Sequence, residues 1–161
     1  MTSAVNNYPW SPVLILLLIY SVIIAAAAAE FDYNFTGFIC IGSRYADGDL
    51  IPDKTLVLRG SRGYDGQFYY YAARDPLILG SGRLKMDVPA YRYTRIFYPW
   101  LAAVIAFGKP SLIPYSLVFV NLAAILAGSF FAVKFLQGAD ITIWYSCIYG
   151  LFSGFILALL R

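Results

Sequence analysis

The chain has 161 residues, 60% of them hydrophobic and 13% charged, with a formal net charge of +3 and no histidine. A soluble domain carries about 25% charged residues, so this composition points to an integral membrane protein, and the small, dispersed positive balance excludes nucleic acid as a partner. Without histidine there is no imidazole to hold a haem, a pigment or a metal, and any chemistry falls to carboxylate, Tyr, Lys or Arg.

The first apolar run, residues 12–29, is long enough to cross a bilayer. It closes on a row of alanines before Glu30, as a signal peptide does, but the preceding MTSAVNNYPW has no Lys or Arg. A signal peptide needs a positive start, so a retained transmembrane helix is expected. Residues 30–92 then form a polar insertion holding every acidic residue except Asp140 and most of the basic ones. Turn sequences punctuate it at ADGDLIPD (46–53), RGSRGYDG (59–66) and LGSGR (79–83). KTLVLR (54–59) predicts a short strand. Residues 67–74 predict a short amphipathic helix with Phe68, Tyr71 and Ala72 on one face. An aromatic-rich helix of this kind belongs at headgroup level, where Tyr69, Tyr70 and Tyr71 would form an interfacial belt.

A second membrane segment is expected over residues 93–107, with Pro99 near its start and GKP (108–110) ending it. Residues 111–136 read as a third, with Lys134 free to snorkel to the interface, and residues 141–160 as a fourth, closed by Arg161. Trp10, Trp100 and Trp144 suit anchoring positions near helix ends. Gly150 and Gly154 have the small-xxx-small spacing that admits a partner helix. Cys40 and Cys147 offer neither a disulfide framework nor a thiolate metal site.

The expected fold class is therefore all-α: about four transmembrane helices, with a large extracytoplasmic loop carrying short interfacial helices. Residues 1–29 would be the tail and first helix, 30–92 the loop domain, and 93–161 helices two to four. If the loop lies outside, Lys109 and Arg161 both fall on the cytoplasmic side.

Two polar clusters could carry chemistry. One is Tyr64-Asp65-Gly66-Gln67 with Arg74 and Asp75; the other runs from Asp87 to Arg95 and leads straight into the apolar segment. Arg92 and Arg95, three apart, share a helical face, and a pair of guanidinium forks suits phosphate. They suit lipid headgroups or ion pairs with Asp87 and Asp75 equally well. Asp65 stands where a helix begins. There it can cap backbone N–H groups, act as a base, or bind a divalent cation, the one cofactor these residues leave open.

The pattern YDGQFYY…ARDP followed by DVPAYRYTRIFYP resembles the amino-terminal part of bacterial C-type (GT-C) glycosyltransferases. The resemblance covers residues 1 to about 108. It implies sugar transfer from a polyprenyl-phosphate carrier, with an acidic residue of the first external loop acting on the acceptor. Carried over by position, Asp65 is the catalytic carboxylate, and Gln67 and Tyr69 position acceptor or sugar. Arg92 and Arg95 hold the lipid-linked phosphate, and Asp87 is a second carboxylate. Such enzymes have many more spans, so the resemblance implies an amino-terminal portion or a shortened, non-catalytic relative. Membrane lipids and other membrane subunits are the expected partners, and the bacterial inner membrane is the expected location. A module that only binds or transports an anionic lipid is a third reading of the same arginines.

Overall fold

A computed structural model describes residues 8–160. Helix dominates: α1 (Ser11–Ala29), α2 (Asp65–Arg74), α3 (Pro89–Tyr93), α4 (Phe97–Ile105), α5 (Ile113–Gly138), α6 (Ser146–Gly150) and α7 (Ser153–Leu160). The expected strand is present only as β2 (Val57–Leu58), paired in parallel with β1 (Ile41–Gly42), with Ile41 opposite Val57. The chain forms two compact units. One comprises Ala28–Val120, and the other joins the residues up to Ala27 with Asn121–Leu160.

Among the described residues, two helices are long and apolar enough to cross a membrane: α1, and α5 together with the short turn Pro110–Leu112 that leads into it. The pair α6, with the short turn Ile143–Tyr145 that leads into it, and α7 meets the same test only as one span bent by 47°. The segment expected to be the second span does not reach that length. Its helix, α4, has nine residues, about 13 Å at 1.5 Å per residue against a hydrocarbon core of about 30 Å. Phe107 and Gly108, both with positive φ, unwind the chain, and Pro110 keeps Lys109 out of the helical region.

In the unit containing α1, small residues and aromatic contacts set the packing. Trp10 stacks on Phe130 with ring centroids 4.5 Å apart, while Leu16 and Ser129 close on the Cα of Gly150. The bend between α6 and α7 frees backbone carbonyls that a membrane cannot satisfy. The buried Tyr20 hydroxyl donates to the Gly150 carbonyl at 2.6 Å. Gly150 therefore serves packing within the chain, and the small residue expected to meet a partner helix is already used. Arg161 and the first residues of the tail lie outside the described residues.

In the unit Ala28–Val120, α2 is the central element. Gly63, with φ of +71°, turns the chain into it, Asp65 in its first turn and Arg74 in its last complement the helix dipole, and Pro76 follows its end. Its surroundings differ from the expected interfacial ones. Tyr70 and Tyr71 are fully buried because their hydroxyls find acceptors, the Leu50 carbonyl at 3.1 Å and the Tyr45 carbonyl at 2.7 Å. Burial pushes both phenols up to about 12. Tyr70 and Tyr71 are thus core rather than part of a lipid-facing belt, and they staple the loop at Tyr45 and Leu50 to the helix. Ile39, Ile41, Phe68, Met86, Ala102, Ala106, Ile113 and Leu117 complete this core.

Three glycines let backbones meet beside the start of α2. A Cβ on Gly42 would collide with the Gly63 backbone, one on Gly63 would collide with the Gly42 nitrogen, and one on Gly66 would lie 3.0 Å from the Ile39 carbonyl oxygen. Gly63→Ala should add steric overlap to a left-handed backbone and cost about 3 kcal/mol. A thermal melt in detergent followed by circular dichroism checks this, with Gly48→Ala, where a Cβ meets open space, as the neutral control.

Candidate functional site

The sequence separates Asp65 from Asp87 and Arg92 by a long loop, and the fold brings them together. Pro89 starts α3 at its first position, and Arg92 follows near its end. The guanidinium is held between both carboxylates. Its Nε donates to Asp87 Oδ1 at 2.9 Å and its Nη2 to Asp87 Oδ2 at 2.8 Å, while Nη1 lies 3.0 Å from Asp65 Oδ1. Its Cζ stands 4.3 Å from the centroid of the Phe68 ring. The side chain is 13% exposed, against 35% for Asp87 and 54% for Asp65.

This geometry separates the roles of the two carboxylates. Asp87 gives both oxygens to a bidentate pair, and the Arg92 hydrogen bonds hold it down to about 2. It is a fixed anion that positions Arg92, not a proton acceptor. Asp65 lies in the first turn of α2, where no side-chain hydrogen bond caps the helix. Tyr64 occupies the cap position, so the alternative of Asp65 as an N-cap is set aside. Asp65 reaches Arg92 with one oxygen and keeps a largely exposed carboxylate. In return, Arg92 is driven further toward its charged form, first by the Asp87 hydrogen bonds.

An open cavity of about 400 Å³ adjoins the clamp, lined by Tyr45, Arg62, Tyr64, Asp65, Phe68 and Arg92 among others. That volume is in the usual range for a small-molecule site. Gln67 also borders it but is 1% exposed, and its amide is engaged by backbone. Its Oε1 accepts from Gly42 N at 3.1 Å, and its Nε2 donates to the Arg62 carbonyl at 2.7 Å. Gln67 therefore shapes the cavity wall by tying two loops together.

Tyr69 and Arg95 form a separate group. Tyr69 packs edge-on against Tyr98 with centroids 5.1 Å apart. Arg95 hydrogen-bonds Tyr69 and the Tyr91 hydroxyl, the latter at 2.6 Å, which together strengthen its positive charge. The two arginines expected to act as a pair thus have different hydrogen-bond partners, although both stand over the Tyr91 ring, at 5.7 and 5.1 Å. The structure adds Arg62 to the cavity, exposed and, among the described residues, without a side-chain ion pair. Its signal in the sequence is its position in the turn RGSRGYDG, three residues before Asp65. Asp75, expected beside these groups, folds inward instead. Its Oδ1 accepts from Leu79 N and Gly80 N at 2.8 and 3.0 Å, pinning the loop that follows α2.

Among the described residues no group of three or more His, Cys, Asp or Glu is placed to hold a metal ion. Comparison with family models, with curated proteins and with solved structures finds no match.

The clamp carries its own pH dependence. Asp87 has a folded value near 2 against about 3.9 for an unfolded aspartate. Its contribution to stability is present above about pH 4 and is lost as the pH falls toward 2. Asp87→Asn should flatten the acid limb of the melting temperature against pH, which thermal melts of the two proteins between about pH 6 and 3 would read.

Proposed function

We propose that this chain is a GT-C-like membrane glycosyltransferase, or the amino-terminal portion of one, transferring sugar from a lipid-phosphate carrier. The observation that carries this reading is the convergence of Asp65, Asp87 and Arg92 on one cavity. Asp65 is the one carboxylate of that group with an oxygen not committed to Arg92. In the transfer, Asp65 takes the proton of the acceptor hydroxyl as its oxygen bonds to the anomeric carbon of the sugar. The bond from that carbon to the carrier phosphate breaks, and its electron pair leaves with the phosphate. Asp87 fixes Arg92, and Arg92 fixes Asp65, so the base is preorganised without large movement. Arg62, an exposed cation at the cavity wall, is the group available to the departing phosphate. Arg95 and Tyr69 form an adjacent polar edge for acceptor or headgroup.

The same reading takes α1, α5 and the bent pair α6–α7 as crossings of a bacterial inner membrane, three rather than four. With α4 too short to cross, the insertion extends to about residue 112 and includes Lys109. Lys134, near the far end of α5, then supplies the positive charge that favours a cytoplasmic side opposite the insertion, leaving the cavity extracytoplasmic. A second reading, a non-catalytic subunit of a larger membrane assembly, is favoured by the structural duty of Gln67, whose amide is fully used by backbone.

Asp65→Asn preserves an oxygen for Arg92 and removes the base. Transfer from polyprenyl-phosphate-linked sugars by the reconstituted chain, read as release of polyprenyl phosphate, should fall by about 10²–10⁴-fold. Retained transfer in a folded Asp65→Asn protein would remove Asp65 from the mechanism and favour the subunit reading.

A further inference from the structure

Helix α4 is built inside out for a protein in water. Its buried face is made of Pro99, Ala102, Ala103 and Ala106, while Phe97, Trp100, Val104 and Phe107 are exposed at 70%, 45%, 53% and 84%. The spacing of three, four and three places these large side chains on one continuous stripe. Burial of apolar area would favour the opposite arrangement, with the aromatic rings inside and the alanines outside. The small residues are inside because α4 lies close against α2, and side chains on that face also reach the start of α5. Ala102 and Ala106 share a core with Ile113 and Leu117, and the Tyr98 hydroxyl donates to the Leu117 carbonyl at 3.0 Å.

That docking fixes the depth of α4 if α5 crosses the membrane. The apolar stretch Pro110–Gly138 has 29 residues, about 43 Å of helix, which matches a bilayer of about 40–45 Å measured with its headgroups. The turns around Ile113 to Leu117 then lie at headgroup level, and α4 lies beside them. The charges agree with this depth. Arg95 precedes the stripe and Lys109 follows it, both exposed, while the helix itself carries no charged residue. An apolar stripe bracketed by cations is the pattern of a helix lying in the plane of an anionic lipid surface.

We propose that the exposed face of α4 is seated in the headgroup and upper acyl region of a phospholipid leaflet, with Arg95 and Lys109 against lipid phosphates. The helix is thus an in-plane float for the unit Ala28–Val120: its inner face carries α2, and its outer face rests in lipid. This seating is independent of catalysis and holds equally for an enzyme and for an accessory subunit.

Trp100 reports on the seating directly. The full chain with Trp10→Phe and Trp144→Phe retains Trp100 as its sole tryptophan, and the phenylalanine at position 10 can still stack on Phe130. It is reconstituted in phosphatidylcholine–phosphatidylglycerol vesicles whose acyl chains are brominated either near the top or near the bottom. Strong quenching by the upper label, weaker quenching by the lower label and little by aqueous iodide is the expected result. Quenching by iodide without effect of either brominated lipid would overturn the proposal by placing the face in water. Shielding from all three would overturn it in favour of a protein partner, and deeper quenching by the lower label would restore a spanning segment. The same measurement with Trp100→Phe and Phe97→Trp in that background gives a second position on the stripe. Neither outcome depends on transfer activity, so this seating and the role of Asp65 stand or fall separately.

Discussion

A guanidinium that is mostly withdrawn from water must have its donors met. Arg92 satisfies that constraint with two carboxylates from distant parts of the sequence. Leaving Arg92 unpartnered would be costly, because a desolvated charge without its counter-ion loses more than the pair gains. The clamp therefore fastens α3 to the first turn of α2 and decides where Asp65 can point. It also leaves two carboxylates around one cation at the cavity wall. Arg62 adds a further cation to that wall, although it lies outside the motif that suggested the site.

The second organising feature is the burial of α2. A helix containing consecutive tyrosines can be interior only if each buried hydroxyl has an acceptor; the ADGDLIPD turn supplies the Leu50 carbonyl and Tyr45, just before it, the other. Gln67 does the same for the turn on the other side of the helix start. Polar side chains that resemble substrate ligands in sequence thus act as fasteners, holding loops around a helix whose amino-terminal turn presents Asp65.

The physics of α4 is complementary. Its alanines permit close approach to α2, and the cost is a stripe of exposed aromatic and branched side chains that no aqueous surface would favour. One short helix therefore supports the core on one side and presents an apolar surface on the other. The two properties follow from a single distribution of residue sizes, small inward and large outward.

By itself, the sequence determined the membrane character of the chain, the long helices near residues 12–29 and 111–136, the helix beginning near Asp65, and the identity of Asp65, Asp87 and Arg92 as residues to watch. These rest on local quantities: length and hydropathy of a run, turn residues and the chemistry of side chains. Only the tertiary structure decided that residues 93–107 supply a nine-residue helix and not a long one, that Tyr70 and Tyr71 face the core, that Gln67 is spent on backbone, and that Arg92 and Arg95 take different hydrogen-bond partners. Each depends on which acceptor or counter-ion stands within about 3 Å, a matter of long-range approach that spacing along the chain does not encode. The same apolar residues of α4 read as a membrane span in one dimension because hydropathy counts them without direction. In three dimensions their direction is fixed by the alanines that α2 requires, and that is what separates an exposed apolar stripe from a helix apolar all round.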